Sequence, residues 1–244
     1  MLDRRRAIAL LAMTCAGAHA ARNAPSQVPI LSTAPPGSLV PEGWRHQTLP
    51  KVERANEFEL VADQGRRVLR IRSSSSASSW VAPVGIDASR WPLLRWQWKV
   101  SHSLAGSDLR TRRGDDYAAR LYVFFDLPLE QLALPDRLRI RASRALSGVD
   151  VPTAALCYVW GHAQPAGSTA WNPYTDRLRM VVVDSGDAHA MQWRSLERDV
   201  RRDWAEAFGG PMPSISGVAV GADTDNTGDE VEAWFGDVSF SEGP

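Results

Sequence analysis

The sequence predicts an all-β fold, a jelly-roll-like antiparallel β-sandwich with one or two short helical insertions. Three observations point there. Short segments alternate apolar and polar side chains, the period of a strand with one buried face. Gly, Pro, Asn and Asp clusters punctuate them at short intervals, as turns do. One stretch alone carries a clear helical period. A closed barrel is the competing architecture.

Taken in order, residues 21–40 are rich in Pro, Ser and Ala with no period and read as a flexible tether. A single domain is expected over 41–242, opening at Pro41-Glu42-Gly43-Trp44. Strands are expected at Trp44–Leu49, at Phe58–Ala62, and at Arg67–Arg72 after a Gln64-Gly65 turn. Trp80–Val84 and Leu93–Val100 follow. In the second of these, Leu94, Trp96, Trp98 and Val100 alternate with Arg95, Gln97 and Lys99, so one face is dry and one wet. Over Tyr117–Phe125, the set Tyr117, Ala119, Leu121, Val123 and Phe125 is apolar, while Asp116, Arg120 and Tyr122 share the other side. Further strands are expected at Ala154–Gly161, Leu178–Val183, Ile215–Ala222 and Val231–Phe240. Two segments interrupt. Residues 129–146 contain the string RLRIRASRAL, which fits a strand by alternation and a helix by its lack of turn residues. Leu196, Val200, Trp204 and Phe208 recur every four residues and stop at Gly209-Gly210-Pro211, which reads as an amphipathic helix.

The N-terminus carries an address. Arg4-Arg5-Arg6, the apolar stretch from Ala7 to Gly17 and Ala18-His19-Ala20 make a positive region, a hydrophobic region and a small-residue cleavage site. Residues 1–20 are therefore expected to be a signal peptide, and the protein to be periplasmic or secreted. Its apolar run is shorter than the about 20 residues that span a bilayer, and no later run approaches that length, so no integral membrane segment is expected. Cys15 and the arginine cluster also admit lipoprotein and twin-arginine readings, each a poorer match to its pattern.

The whole chain has 28 basic and 28 acidic residues. Removing residues 1–20 takes away three Arg and one Asp, leaving 25 against 27. A nucleic-acid binder would carry a basic surplus, so no nucleic-acid partner is expected. Cys157, the one cysteine left after cleavage, lies in an apolar run and is expected to be buried and inert.

Several blocks together resemble a known family: RGDDYAARLYVFF (113–125), LCYVWG (156–161), NPYTDRLRMVVVDSG (172–186), WRSLERDVRRDWAEAFG (193–209) and GVAVGADTDNTG (217–228). They are similar to domain-of-unknown-function family 3047, a bacterial group of secreted or periplasmic proteins; the resemblance implies no chemistry. In architecture, the order Gly43-Trp44, VLRIRSSSSASSW, LLRWQWKV and a closing AWFGDVSF resembles jelly-roll carbohydrate-binding modules of the galactose-binding type. That likeness implies a structural calcium ion beside the last strand.

Two polar clusters are candidate sites. Asp223 and Asp225, two apart at a strand end, point the same way, with Asn226 and Asp229 in the turn that follows. Calcium takes six to eight oxygen ligands, and these residues supply some of them. Thr227 breaks the EF-hand pattern, and Asp and Asn also cap ordinary turns, so turn, cation and ligand readings all stand. Asp237, beside apolar residues in the last strand, is expected to be paired. The second cluster is Asp115, Asp116, Arg120 and Tyr122. Carboxylates, a guanidinium and an aromatic on an open strand face suit sugar hydroxyls; an Asp116–Arg120 ion pair is the alternative. Trp80, Trp160, Trp171 and Tyr174 add aromatic surface, although tryptophans of a sandwich mostly fill its core.

Nucleophile-elbow, phosphate-loop and zinc-protease motifs are absent. The expected function is an exported, non-catalytic binding protein for a carbohydrate or other envelope component. Two other readings stay open: a polysaccharide hydrolase or lyase using Asp116 with Asp223 or Asp225, and a purely structural interaction protein.

Overall fold

The strands run β1 (Arg45–Thr48), β2 (Glu57–Asp63), β3 (Arg66–Ser74), β4 (Ala77–Ile86), β5 (Leu93–Val100), β6 (Tyr117–Phe125) and β7 (Ala154–Gly161). They continue as β8 (Thr169–Asn172), β9 (Thr175–Ser185), β10 (Arg194–Asp199), helix α1 (Val200–Ala207), β11 (Ile215–Asp223), β12 (Glu230–Phe235) and β13 (Ser239–Ser241). This computed structural model describes residues 27–34, 40–49, 52–132, 134–135, 137–138, 140–141 and 152–243. Residues 1–26, which hold the expected signal peptide, lie outside them.

Two sheets stack into the expected sandwich. One has seven strands in the order β1-β4-β11-β6-β7-β9-β8; the other runs β10-β5-β12-β3-β2, with β13 also on β5. Every pairing is antiparallel except β7 with β9. Period-two alternation sends Leu94, Trp96, Trp98 and Val100 of β5 inward against Leu156, Tyr158 and Trp160 of β7. The Trp96 and Trp98 rings meet edge-on at 5.5 Å, and Trp98 lies 6.0 Å from Trp160. Burying aromatic side chains of this size is the main source of stability, at roughly 25 cal/mol per Å² of apolar surface. Buried carboxylates in the core are paired, whereas the indole N–H groups of Trp96 and Trp204 have no hydrogen-bond partner among the described residues. Asp184 accepts from Trp98 Nε1 at 2.9 Å and from Arg194 Nε at 3.1 Å, and Asp203 accepts from the Tyr158 hydroxyl at 2.6 Å.

Four expectations are corrected. Residues 27–34 are not a tether: Val28 and Leu31 are buried in the core, and Trp44 Nε1 donates to the Pro29 carbonyl at 3.0 Å. The four-residue spacing from Leu196 to Phe208 does not mark one helix, because four is a multiple of the strand period as well as nearly a helical turn. Leu196 sits on β10, and Asp199, whose carboxylate accepts from the Arg201 and Arg202 amides, caps a helix that starts only at Val200. The closing strand breaks after Phe235; Asp237 there accepts from Ser32 N at 2.9 Å and Ser32 Oγ at 2.6 Å, tying the last strands to the N-terminal segment. Finally, a register shift between β6 and β11 turns Tyr117 to the same face as Arg120, whose guanidinium lies 4.7 Å from its ring. Within 129–146 the structure has a 3-10 turn at Leu129–Gln131 and helical residues at 134, 135, 137, 138, 140 and 141, so the helix alternative holds where residues are described.

Candidate functional site

Both predicted clusters fall at one place, on the outer face of the seven-stranded sheet where β6 begins and β11 ends. Arg120 is the hub. Its Nη2 lies 3.3 Å from Asp115 Oδ1 and 3.0 Å from Asp223 Oδ2, and it also donates to the Asp115 carbonyl. Nη1 donates to the Tyr122 hydroxyl at 3.3 Å. Asp115 Oδ2 accepts from Asn172 Nδ2 at 2.9 Å, which brings in the end of β8. Gly221 lies opposite Arg120 in register; a Cβ there would come within 2.6 Å of Ser79 Oγ, so only glycine lets β4 and β11 approach as they do.

Asp116 is wholly buried and does not pair with Arg120. Its Oδ2 accepts from Thr227 N and Thr227 Oγ1, each at 2.7 Å, and from Asn226 N at 3.1 Å; its Oδ1 accepts from Asn226 Nδ2 at 2.8 Å. The carboxylate is a brace that folds the 224–229 loop over the strand ends.

One carboxylate oxygen each from Asp116, Asp223 and Asp225 lie within 4.8 Å of one another, the spacing of a cation site. The donor set fits a hard cation poorly. Asp116 has its lone pairs occupied by four donor groups, Asn226 turns its amide nitrogen rather than its carbonyl inward, and the Arg120 guanidinium stands against Asp223. Burial pushes the Asp223 and Asp115 carboxyls above the usual carboxylate range, Asp223 well above it, even though Arg120 pulls each down. Burial likewise pushes the neighbouring Cys157 thiol up to about 12, leaving it unreactive.

The convergence is therefore real and the openness is not. Asp115, Asp116 and Arg120 are buried and Tyr122 is half-buried, so the expected open strand face is closed. Asp116, the carboxylate proposed for glycoside hydrolysis, is buried and engaged by the donors of Asn226 and Thr227 rather than turned to an open face. Of the predicted aromatics, Trp160 is a core residue whose Nε1 donates to the Gly186 carbonyl at 3.0 Å, and Trp80 is in the core too. Tyr174 borders the cluster, its hydroxyl donating to the Arg112 carbonyl at 3.1 Å. Trp171 is exposed but lies on the edge strand β8, against Phe208 and under Arg179.

The accessible polar surface lies on the other sheet. Along the outer face of the six-stranded sheet, β5 presents Arg95 and Gln97, β3 presents Arg66, Arg70 and Arg72, and β12 presents Glu232, while Lys99 and Trp234 on the same face are buried. At one end a depression of about 770 Å³ is lined by Arg54, Glu57, Arg72, Ser101, His102 and Glu232 among others. At the other end a groove of about 450 Å³ runs between Arg66, Arg67, Gln97, Ser195 and Asp237. The strand β3 that joins them is roughly 26 Å long at about 3.3 Å per residue. Between them Lys99 is buried among aromatic rings: its ammonium lies 4.5 Å from the Trp234 ring and 5.3 Å from the Trp193 ring, and Asp63 Oδ2 accepts from Lys99 Nζ at 2.6 Å and Trp193 Nε1 at 2.7 Å. The hydrogen bond from Lys99 holds the Asp63 carboxyl below the usual range. The wet side of LLRWQWKV was the one sign of this surface in the sequence.

A family model described as "Protein of unknown function (DUF3047)" matches residues 42–239. No curated protein matches the chain in sequence. Among solved structures, endoglucanase cel12A from Rhodothermus marinus is similar over 84% of this chain and 94% of its own, at 12% identity and a TM-score of 0.43. A family 11 carbohydrate-binding module from Clostridium thermocellum, in complex with a β-1,3-1,4-mixed-linked tetrasaccharide, is similar over 90% and 97%, at 8% identity and 0.40. A family 12 xyloglucanase from Bacillus licheniformis, in complex with ligand, is similar over 88% and 92%, at 11% identity and 0.42.

Proposed function

The chain belongs to the DUF3047 family, and on that premise we propose that it is an exported, non-catalytic protein that binds a carbohydrate of the cell envelope on the outer face of its six-stranded sheet. Export rests on the signal-like residues 1–20. One observation carries the binding reading: the depression of about 770 Å³, a size that suits a small ligand, whose walls combine guanidinium, carboxylate and hydroxyl groups. A polyhydroxylated ligand presents donors and acceptors in alternation, and Arg72, Glu232 and Ser101 offer both kinds within that space. The groove at the far end of β3 extends the same surface, so an elongated ligand meets hydrogen-bonding groups at both ends.

The test is a glycan array of envelope polysaccharides followed by calorimetry on the sugars retained. Saturable binding that falls at least about tenfold in the Arg72→Ala, Glu232→Ala double variant is expected, the loss of a few hydrogen bonds to charged groups. An array without any retained saccharide would remove the reading.

A further inference from the structure

Resting on that carbohydrate reading, we propose that the groove bounded by β3, β5 and β10 receives an oxyanion substituent, so the preferred glycan is an acidic one. Three guanidiniums, of Arg66, Arg67 and Arg95, face two carboxylates there, of Glu197 and Asp237. Neither carboxylate answers Arg66 or Arg67. Glu197 stands directly across the β10–β5 ladder from Arg95 and pairs with it. Asp237 accepts from both the amide and the hydroxyl of Ser32.

The two remaining guanidiniums form no ion pair among the described residues of the groove. Arg66 donates to the neutral Gln97 Oε1 and its guanidinium lies 4.5 Å from the Trp193 ring, a stacking that fixes its plane; the Asp63 carboxylate faces it across the β2–β3 ladder, but Asp63 Oδ2 accepts from Lys99 and Trp193 instead. Arg67 lines the same groove and makes no side-chain hydrogen bond or ion pair with any described residue. A planar fork of donors on a preorganised arginine suits a two-oxygen anion better than a neutral hydroxyl, and a second guanidinium lining the same groove adds to its positive field. Hydroxyls of Ser195 and Ser239 and the Gln97 amide complete a lining that would hold the ring bearing the anion. The opposite depression has the reverse bias, Arg54 and Arg72 against Glu57, Glu230 and Glu232, so the acidic group has a preferred end. Carboxylate and sulfate ester share the chemistry, and the experiment separates them.

Calorimetry should compare an oligogalacturonate, a sulfated oligosaccharide and a neutral oligosaccharide of equal length, on the native chain and on Arg66→Gln, Arg67→Gln. Both arginines are half-buried, and an unchanged melting temperature will show the variant folded. The expected result is binding at least tenfold tighter for one acidic ligand than for the neutral one, weakening with added salt and losing its preference in the double variant. Whichever acidic ligand wins identifies the anion. Equal affinity for acidic and neutral ligands, or a preference that survives in the double variant, overturns the inference and leaves the carbohydrate reading in place. No binding by any of the three overturns both.

Discussion

The outer faces of the two sheets use the same residue types to opposite ends. On the seven-stranded sheet, Arg120, Asp115 and Asp223 form ion pairs with side chains at most 14% exposed. On the six-stranded sheet, Arg95–Glu197 forms an ion pair with both side chains 51% exposed. Taking charges out of water is costly, so the first set persists only while its ion pairs are kept, and breaking one member strands the others. The second set is screened and interchangeable, which leaves it free to trade an internal partner for a ligand. Burial, rather than composition, decides which cluster braces the fold and which can recognise something.

That contrast is most sharply broken at Arg120. Arg120→Met should cost about 3–5 kcal/mol in a denaturant titration, since it leaves two buried carboxyls without their cation. Asp116→Ala removes the acceptor for two backbone amides and two side-chain donors of the 224–229 loop, and about 2 kcal/mol is expected by the same measurement. Arg95→Gln, on the open face, should change stability by less than about 1 kcal/mol.

The pH dependence should have opposite signs in the two regions. Asp223 and Asp115 have folded values raised by burial, so their contribution is most favourable in acid and is lost as pH rises from the ordinary carboxylate range through the raised values. Asp223→Asn should flatten that loss. Asp63 has its folded value lowered by Lys99, so its contribution is present above the ordinary range and is lost as pH falls. Asp63→Asn should flatten the acid side instead, and the same slope change in both variants would erase the distinction. The smallest effect expected is that of calcium. Melting temperatures with millimolar calcium and with chelator should coincide; a higher midpoint with calcium would show that the ion displaces the loop donors on Asp116.

The strands of the core were legible because alternation survives wherever one face is buried. Leu93–Val100, Tyr117–Phe125 and Ala154–Gly161 have the bounds their apolar pattern implies. The short edge strand β8 and β10 were not, since Thr169–Asn172 spans too few residues for a period and Leu196 obeys two periods at once. Proximity of Asp115, Asp116, Arg120 and Tyr122 to Asp223, Asp225 and Asn226 followed from their places at adjoining strand ends. Their burial did not, because it depends on Asn172 and on the loop that Asp116 folds down, both distant in sequence. Arg66, Arg67 and His102 carried no motif, and only the register of β3, β5 and β12 places them around one surface.

The most direct measurement is amide hydrogen exchange on the native chain with and without an oligosaccharide retained on the array. Added protection across 66–74, 95–102 and 230–237 is expected, with 115–122 and 223–227 unchanged. Protection confined to those latter segments would place recognition at the ionic cluster and contradict the division of labour between the two faces.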